Sequence, residues 1–181
     1  MKKSCFLSII LSLLCFNFSK AQVANIDVLH YNINLNVNNQ IPNQHIGFTQ
    51  ITFLLLEENP AFIEFDLKNQ SVDSVFLNSN PIDFSYQNNK IYTLGVAFSD
   101  YPHCYGRSWF VCNDNFTDKA KFDFYITTNN NVKAVCSGNL ISETENSNSK
   151  TFHWRLEQNA PTYAVGMTIA DFTKLEREIN S

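Results

Sequence analysis

The sequence predicts an all-β protein of antiparallel strands, arranged as a β-sandwich or as open, saddle-like sheets. Apolar and polar residues alternate with a period of two along most of the chain, a pattern typical of strands with one buried and one solvated face. Short turn sequences rich in Asn, Pro and Gly separate these runs. After the N-terminal segment no helical period extends over ten residues. Together these observations favour a β-fold without helical layers.

The first 21 residues are interpreted as a secretory signal peptide. Lys2 and Lys3 precede an apolar run from Cys5 to Phe18, and Ser19-Lys20-Ala21 has the small-x-small pattern of a cleavage site before Gln22. The apolar run is shorter than the roughly 20 residues that a membrane-spanning helix needs. The sequence therefore predicts a cleaved signal helix over residues 1–21 and a protein that is secreted or periplasmic.

Composition excludes two classes of protein. The chain has 13 basic and 17 acidic residues, a net charge of −4, and removal of the three lysines in residues 1–21 makes the mature charge 10 − 17 = −7. This negative charge argues against a nucleic-acid footprint, and 16 Phe, 7 Tyr and 2 Trp exclude a disordered polyelectrolyte. The 181 − 21 = 160 residues that remain suffice for one hydrophobic core.

The first two predicted strands have the longest alternating patterns. Leu29 opens the first strand, and its apolar positions continue to Val37. The second strand begins with Ile46 and Phe48 but continues one position out of step from Ile51, so we expect a β-bulge near Thr49-Gln50. Shorter alternating runs predict further strands at residues 63–67, 75–77, 82–86, 122–126, 132–136, 152–156 and 163–169. Residues 143–150 are predicted to form a polar loop.

Signal cleavage leaves three cysteines, Cys104, Cys112 and Cys136. An odd number allows at most one internal disulfide in an oxidising compartment, and Cys104 and Cys112 are the closest pair in sequence. The alternative is that all three are small apolar residues of the core, because cysteine is among the most frequently buried residue types.

No catalytic or metal-binding constellation is apparent in the sequence. The four His include no i, i+4 pair, and no Cys-x-x-Cys occurs. His30 and His153 each lie between apolar strand residues, so we expect both on solvated faces. His103 and Cys104 are neighbours, but neighbouring side chains in an extended segment point apart and do not predict a thiol–imidazole pair.

Residues 95–120 have no strand period and combine aromatic residues with Arg107, one of only three Arg in the chain. Arg107 and Asp114 are expected to form a partly buried ion pair, with Lys119 as a further partner for Asp114, which makes the segment a structural corner. The competing interpretation is a binding module, in which exposed aromatic residues of this loop grip a sugar or protein partner. Those aromatic residues are Tyr101, Tyr105 and Trp109.

An ordered set of residues in this segment carries a family resemblance. The set consists of Arg107, Trp109, Phe110, Cys112, Asp114, Lys119 and Ala120. It resembles the signature of the N-terminal domain in the aminopeptidase N family of zinc metallopeptidases, where an Arg, aromatic residues, a Cys-x-Asp and a Lys-Ala lead into a strand. Flanking segments also resemble that domain, and the resemblance spans nearly all of residues 27–172. Two positions depart from the family pattern, because Val111 replaces the usual Pro and Pro102 replaces a substrate-contacting Glu or Gln.

The resemblance implies a β-domain over residues 22–172 that packs on a catalytic domain, with residues 173–181 as the start of that domain. The family's His-Glu-x-x-His helix and Gly-x-Met-Glu-Asn motif do not occur in the chain. We therefore expect no catalytic residue, no metal ligand and no bound cofactor in this chain, although full-length relatives use zinc to cleave peptides. We expect a truncated member that is inactive alone, with a catalytic domain encoded separately. A degenerate remnant without a stable fold is the remaining alternative.

Overall fold

The computed structural model describes residues 26–37, 46–58, 60, 62–87, 90–93 and 106–173. These residues form twelve β-strands, two 3-10 turns and no α-helix, which confirms the predicted all-β class. Three predicted segments lie outside the described residues. They are the signal peptide, the part of the irregular segment before residue 106, and the tail from residue 174.

The largest sheet has five strands. Their bounds are β1 Ile26–Asn36, β2 Ile46–Leu55, β8 Ala120–Thr128, β10 Asn139–Asn146 and β11 Ser149–Ala160, and their order across the sheet is β10-β11-β8-β1-β2. The seven shorter strands are β3 Ile63–Asp66, β4 Val75–Leu77, β5 Asn80–Ile82, β6 Phe84–Gln87, β7 Lys90–Thr93, β9 Lys133–Cys136 and β12 Met167–Ala170. They form three small sheets of order β3-β7-β6, β4-β5 and β12-β9.

One strand pair departs from the predicted antiparallel arrangement. β1 and β8 run parallel, with Tyr31 opposite Phe122 and Ile33 opposite Phe124, whereas the other described pairs are antiparallel. Parallel neighbours need a long connection, and the chain between β1 and β8, which includes β2 to β7, provides it. The protein is therefore built from open, mixed sheets.

The hydrophobic core lies on one face of the five-stranded sheet. Tyr31 and Ile33 of β1 and Phe122 and Phe124 of β8 are almost completely buried. The rings of Tyr31, Phe122 and Phe124 stack in series, with centroids 5.0 Å and 5.7 Å apart. Each fully buried side chain of this size contributes roughly 1.5–3 kcal/mol. The alternation read from the sequence thus places these four core residues correctly, whereas Leu29, which opens the same alternating run, is exposed.

The β-bulge lies in β1 and not in β2, where the sequence analysis placed it. Val28 is opposite Phe53 and His30 is opposite Thr52, so Leu29 is the additional residue of β1. Leu29 is exposed as a result. The physical reason is that the extra residue of a bulge turns outward while its neighbours keep their pairing.

Without a bulge, β2 keeps one alternation along its whole length. Ile46 and Phe48 therefore lie on the face opposite to Ile51 and Phe53, which pack against the core. Ile46 is 76% exposed and Phe48 is 63% exposed. The outer face of β2 thus carries large apolar side chains that the fold of one chain leaves uncovered.

The stretch 143–150, predicted as a polar loop, is a β-hairpin. β10 and β11 pair through it, with Asn146 opposite Ser149. All eight residues of β10 are exposed because β10 is the outermost strand of the sheet. Its polar composition reflects this edge position, since both faces of the strand meet solvent.

Cys112 and Cys136 are buried residues of the hydrophobic core, as one of the two interpretations expects. Burial raises the pKa of the Cys136 thiol to about 12. Cys104 lies outside the described residues, so a disulfide between Cys104 and Cys112 stays a prediction.

Gly138 allows the tight turn between β9 and β10. Its φ is +98°, and a Cβ there would lie 2.1 Å from the carbonyl oxygen of Arg155. We expect Gly138→Ala to lower the free energy of unfolding by about 1–3 kcal/mol, because both the backbone conformation and the space exclude a side chain. Urea denaturation measures this loss. Gly166→Ala is the matched control, since no other heavy atom lies within 4 Å of a Cβ at that position; equal losses in the two variants would contradict the prediction.

Candidate functional site

A buried charge cluster around Arg107 attaches the irregular segment to the rest of the fold. Arg107 lies in the 3-10 turn Gly106–Ser108 and is 4% exposed. Its Nη1 is 3.3 Å from Oδ1 of Asp66, and its Nε is 3.4 Å from Oδ2 of Asp114. The ion pair between Arg107 and Asp114 that the sequence predicts is present. Asp66 is a second carboxylate partner that sequence reasoning missed.

Asp66 is the last residue of β3 and binds the segment through its backbone and its side chain. Its backbone amide and carbonyl pair with those of Cys112 in an isolated β-bridge. The backbone amide of Asp114 donates to Oδ2 of Asp66 over 3.2 Å. The only sequence signal for this role is an acidic residue directly after the alternating run that starts at Ile63.

Asp114 also connects the segment to the chain just before β12. The hydroxyl of Thr162 donates to Oδ1 of Asp114 over 2.6 Å. Thr162 is buried and begins the second 3-10 turn, Thr162–Ala164. Lys119 is exposed. The described side-chain contacts of Asp114 are with Arg107 and Thr162. The predicted pairing of Lys119 with Asp114 is not among these described contacts.

The aromatic residues that follow Arg107 are used for packing. Phe110 is 2% exposed, and Trp109 packs edge-on against it with ring centroids 4.6 Å apart. Trp109 also stacks near Phe124 of the main sheet, at 6.1 Å. Trp109 therefore packs inside the fold and does not belong to the predicted aromatic binding surface for a sugar or protein partner. The other two residues of that predicted surface, Tyr101 and Tyr105, lie outside the described residues.

A second polar cluster lies on the opposite face of the main sheet, around Asp123 of β8. The buried carboxylate of Asp123 accepts hydrogen bonds from Nε2 of His30 (2.9 Å) and Nε of Arg155 (2.8 Å), and also from Nε2 of His153. The ring of Tyr125 stacks on His153 with centroids 4.1 Å apart. His153 is therefore buried, and its predicted solvated position is wrong, whereas the side chain of His30 is 34% exposed.

The cluster determines the ionisation of Asp123. Burial raises the pKa of its carboxyl, but the hydrogen bonds from His153, Arg155 and His30 outweigh burial and place the pKa below its ordinary value of 3.8. Asp123 is therefore a stable anion between three donors.

The described residues do not fit a catalytic zinc ion. Nowhere among them are three His, Cys, Asp or Glu side chains arranged to hold a metal. The two imidazoles on Asp123 do not make such a site, because both carboxylate oxygens already accept hydrogen bonds from them. The guanidinium of Arg155 also supplies the positive charge that a metal ion would otherwise bring.

Comparison with known proteins identifies the fold. No protein-family profile and no curated protein matches the sequence. Among solved structures, the M1 zinc metallopeptidase from Deinococcus radiodurans aligns with a TM-score of 0.69 and 20% identity over 80% of this chain and 42% of that chain. The leukotriene A4 hydrolase from yeast, in complex with bestatin, aligns with a TM-score of 0.65 and 16% identity over 83% of this chain and 29% of that chain.

The chain thus has a β-fold found within zinc metallopeptidases, which confirms at the level of the fold the resemblance read from the sequence. At 16–21% identity, this likeness shows the fold alone. The match spans less than half the length of these solved structures. Within the described residues no helix has the length and apolar character needed to cross a membrane.

Removal of the Arg107 guanidinium tests the first cluster. We expect Arg107→Met to lower the free energy of unfolding by about 3–5 kcal/mol, because the buried carboxylates of Asp66 and Asp114 lose their shared cation. Chemical denaturation measures the loss. Lys121→Met is the matched control, since Lys121 pairs with Glu157 at 3.6 Å on the exposed surface and such pairs contribute less than about 1 kcal/mol. A loss below 1 kcal/mol in Arg107→Met would contradict the structural role.

The Asp123 cluster predicts how stability depends on acid. A carboxyl whose pKa is lowered in the folded state stabilises the fold at pH values above its ordinary pKa of 3.8. This contribution is lost as the pH falls from 3.8 through the lower pKa of the folded state. Asp123→Asn should therefore reduce the loss of stability that occurs as the pH falls below 4. Denaturant unfolding at each pH measures this loss.

Asp118 supplies a control of opposite sign for this experiment. Burial raises the pKa of its carboxyl despite hydrogen bonds from Val28 and Asn113, so Asp118 contributes stability that is present below its ordinary pKa and lost as the pH rises through the raised one. Asp118→Asn should therefore remove a gain in stability that occurs as the pH falls towards 3.8, a window above that of Asp123, and should leave the slope below pH 3.8 unchanged. The same change in slope for both variants would refute the assignment.

Proposed function

We propose that this chain is the N-terminal, non-catalytic β-domain of a secreted zinc-dependent aminopeptidase, and that it does not hydrolyse peptides by itself. The observation that carries the proposal is the similarity of fold to M1 zinc metallopeptidases over 80% of the chain. The matched region accounts for 42% of those structures. A catalytic region outside these 181 residues, encoded after them or separately, would supply the zinc site.

The position of the signature residues supports this role. Arg107 and Asp114 are buried in one ion-paired cluster, and Phe110 and Cys112 belong to the core. Residues placed in this way position a loop and its strands rather than contact a substrate. They suit a domain that provides a rigid wall beside a separate reaction centre.

The arrangement of donor groups argues against an independent active site. The chain contains no His-Glu-x-x-His sequence. The buried carboxylates of Asp66, Asp114 and Asp123 are paired with Arg or His side chains. A zinc peptidase needs three protein ligands and an open position for water. Peptide hydrolysis would then depend on ligands that this chain does not carry.

Secretion is supported by the N-terminal sequence alone. The basic pair Lys2-Lys3, the apolar run to Phe18 and the cleavage pattern before Gln22 together match the requirements of a signal peptide. Export would place the mature domain, of charge −7 by the subtraction above, outside the cytoplasm.

The proposal predicts the form and the activity of the exported protein. When the gene is expressed with its own N-terminus, the exported chain should begin at Gln22, as measured by N-terminal sequencing. The purified chain should not release the chromophore from an alanine-anilide substrate when zinc is added. A zinc-containing aminopeptidase assayed in parallel is the control.

Zinc-dependent turnover by the purified chain that a chelator abolishes would overturn the absence of activity. An exported chain that keeps residues 1–21 would overturn the signal-peptide assignment separately, so the two parts of the proposal fail independently.

A further inference from the structure

The turn that leads from Cys112 into β8 contains the tripeptide Asn115-Phe116-Thr117. Asn-x-Ser/Thr is the pattern of N-glycosylation acceptors, which lie in surface loops of secreted proteins. The backbone amide of Asp118 donates to the carbonyl of Asn115 over 3.2 Å and closes the turn. All three residues of the tripeptide are exposed, and Phe116 packs on Tyr163, which is itself 49% exposed. The tripeptide is therefore accessible from solvent in the folded chain.

The side chain of Asn115 is oriented by Thr117. Its Oδ1 accepts a hydrogen bond from the backbone amide of Thr117 over 3.1 Å and a second one from the Thr117 hydroxyl over 3.0 Å. Both bonds use the oxygen of the carboxamide, and none of the contacts described for Asn115 involves its Nδ2. The side chain therefore presents its amide nitrogen, the atom that carries an N-linked glycan, on the side away from Thr117.

The other two Asn-x-Ser/Thr tripeptides of the chain are placed differently. Asn17-Phe18-Ser19 lies within the predicted signal peptide, which cleavage removes. In Asn69-Gln70-Ser71, the backbone amide of Gln70 donates to the hydroxyl of Tyr86 over 3.4 Å. The side-chain amide of Gln70 donates to the backbone carbonyl of Ser108, also over 3.4 Å. These bonds join the second tripeptide to β6 and to the first 3-10 turn, so it is held within the fold.

Asn129 provides a matched comparison, because it has a similar turn without the hydroxyl. Its Oδ1 accepts a hydrogen bond from the backbone amide of Asn131 over 3.1 Å, as Oδ1 of Asn115 does from the amide two residues later. The residue at position 131 is Asn, not Ser or Thr. The two turns therefore separate the effect of the turn from the effect of the hydroxyl.

We propose that Asn115 is the acceptor of an N-linked glycan when the chain is exported. The donor is an oligosaccharide carried on a polyprenyl diphosphate. Nδ2 of Asn115 forms a bond to the anomeric carbon of the first sugar, and the bond from that carbon to the diphosphate oxygen breaks. The polyprenyl diphosphate leaves with the electron pair, and one amide proton passes to a base of the transferase. The proposal rests on the export proposed above, because such acceptors belong to secreted proteins.

The experiment expresses the full chain with its own N-terminus in yeast and maps the exported protein by peptide mass spectrometry, before and after treatment with a peptide N-glycosidase. We expect a glycan on Asn115, a lower occupancy on Asn69 and no glycan on Asn129. Thr117→Val should abolish the glycan, because it removes the hydroxyl at nearly the same side-chain volume. Thr117→Ser is the matched control and should retain it. The map of the unaltered chain does not depend on any variant.

A second version of the chain carries a cleavable signal of the host in place of residues 1–21, so that the domain reaches the transferase by either route. An exported chain without a glycan on Asn115, an occupancy on Asn69 equal to or above that on Asn115, or a glycan retained in Thr117→Val would each overturn the proposal. An exported chain that begins at Gln22 but lacks the glycan would leave the proposed function intact. A glycan on Asn115 that appears only with the host signal would support the acceptor site and overturn the signal-peptide assignment.

Discussion

The fold depends on one buried cation, the guanidinium of Arg107. The segment that contains it has no strand period, and it is joined to β3 by an isolated β-bridge rather than by a ladder. Arg107 lies instead between Asp66 at the end of β3 and Asp114 further along its own segment. Through Thr162, Asp114 extends this attachment towards β12. Buried charges are costly unless they are paired, so the three ionic groups hold distant parts of the chain in one arrangement.

The five-stranded sheet separates two kinds of interaction on its two faces. One face carries the stacked rings of Tyr31, Phe122 and Phe124, where removal of apolar surface from water supplies the stability. The other face carries the Asp123 cluster, where one carboxylate satisfies three donors. Among the described residues, neither face holds three His, Cys, Asp or Glu side chains arranged to bind a metal.

Several features of the fold and site were predictable from local sequence. The alternation of apolar residues identified the core positions of β1 and β8, and the isolated Arg107 in an aromatic segment predicted its ion pair with Asp114. Asp66 was not predictable, because a partner 41 residues away leaves no local pattern. The burial of His153 was missed because it arises from the neighbouring strand, where Tyr125 and Asp123 cover the imidazole.

The sequence by itself determined most of the strand content, the core alternation and the family resemblance, because side chains alternate between the faces of a strand with a fixed period. Only the tertiary structure decided which strands are neighbours and where the pattern shifts. The bulge at Leu29 is a property of the β1–β2 pair rather than of either strand. The parallel pairing of β1 with β8 likewise depends on how the long intervening chain folds. These decisions left Ile46 and Phe48 exposed on β2, a consequence that no single strand's sequence determines.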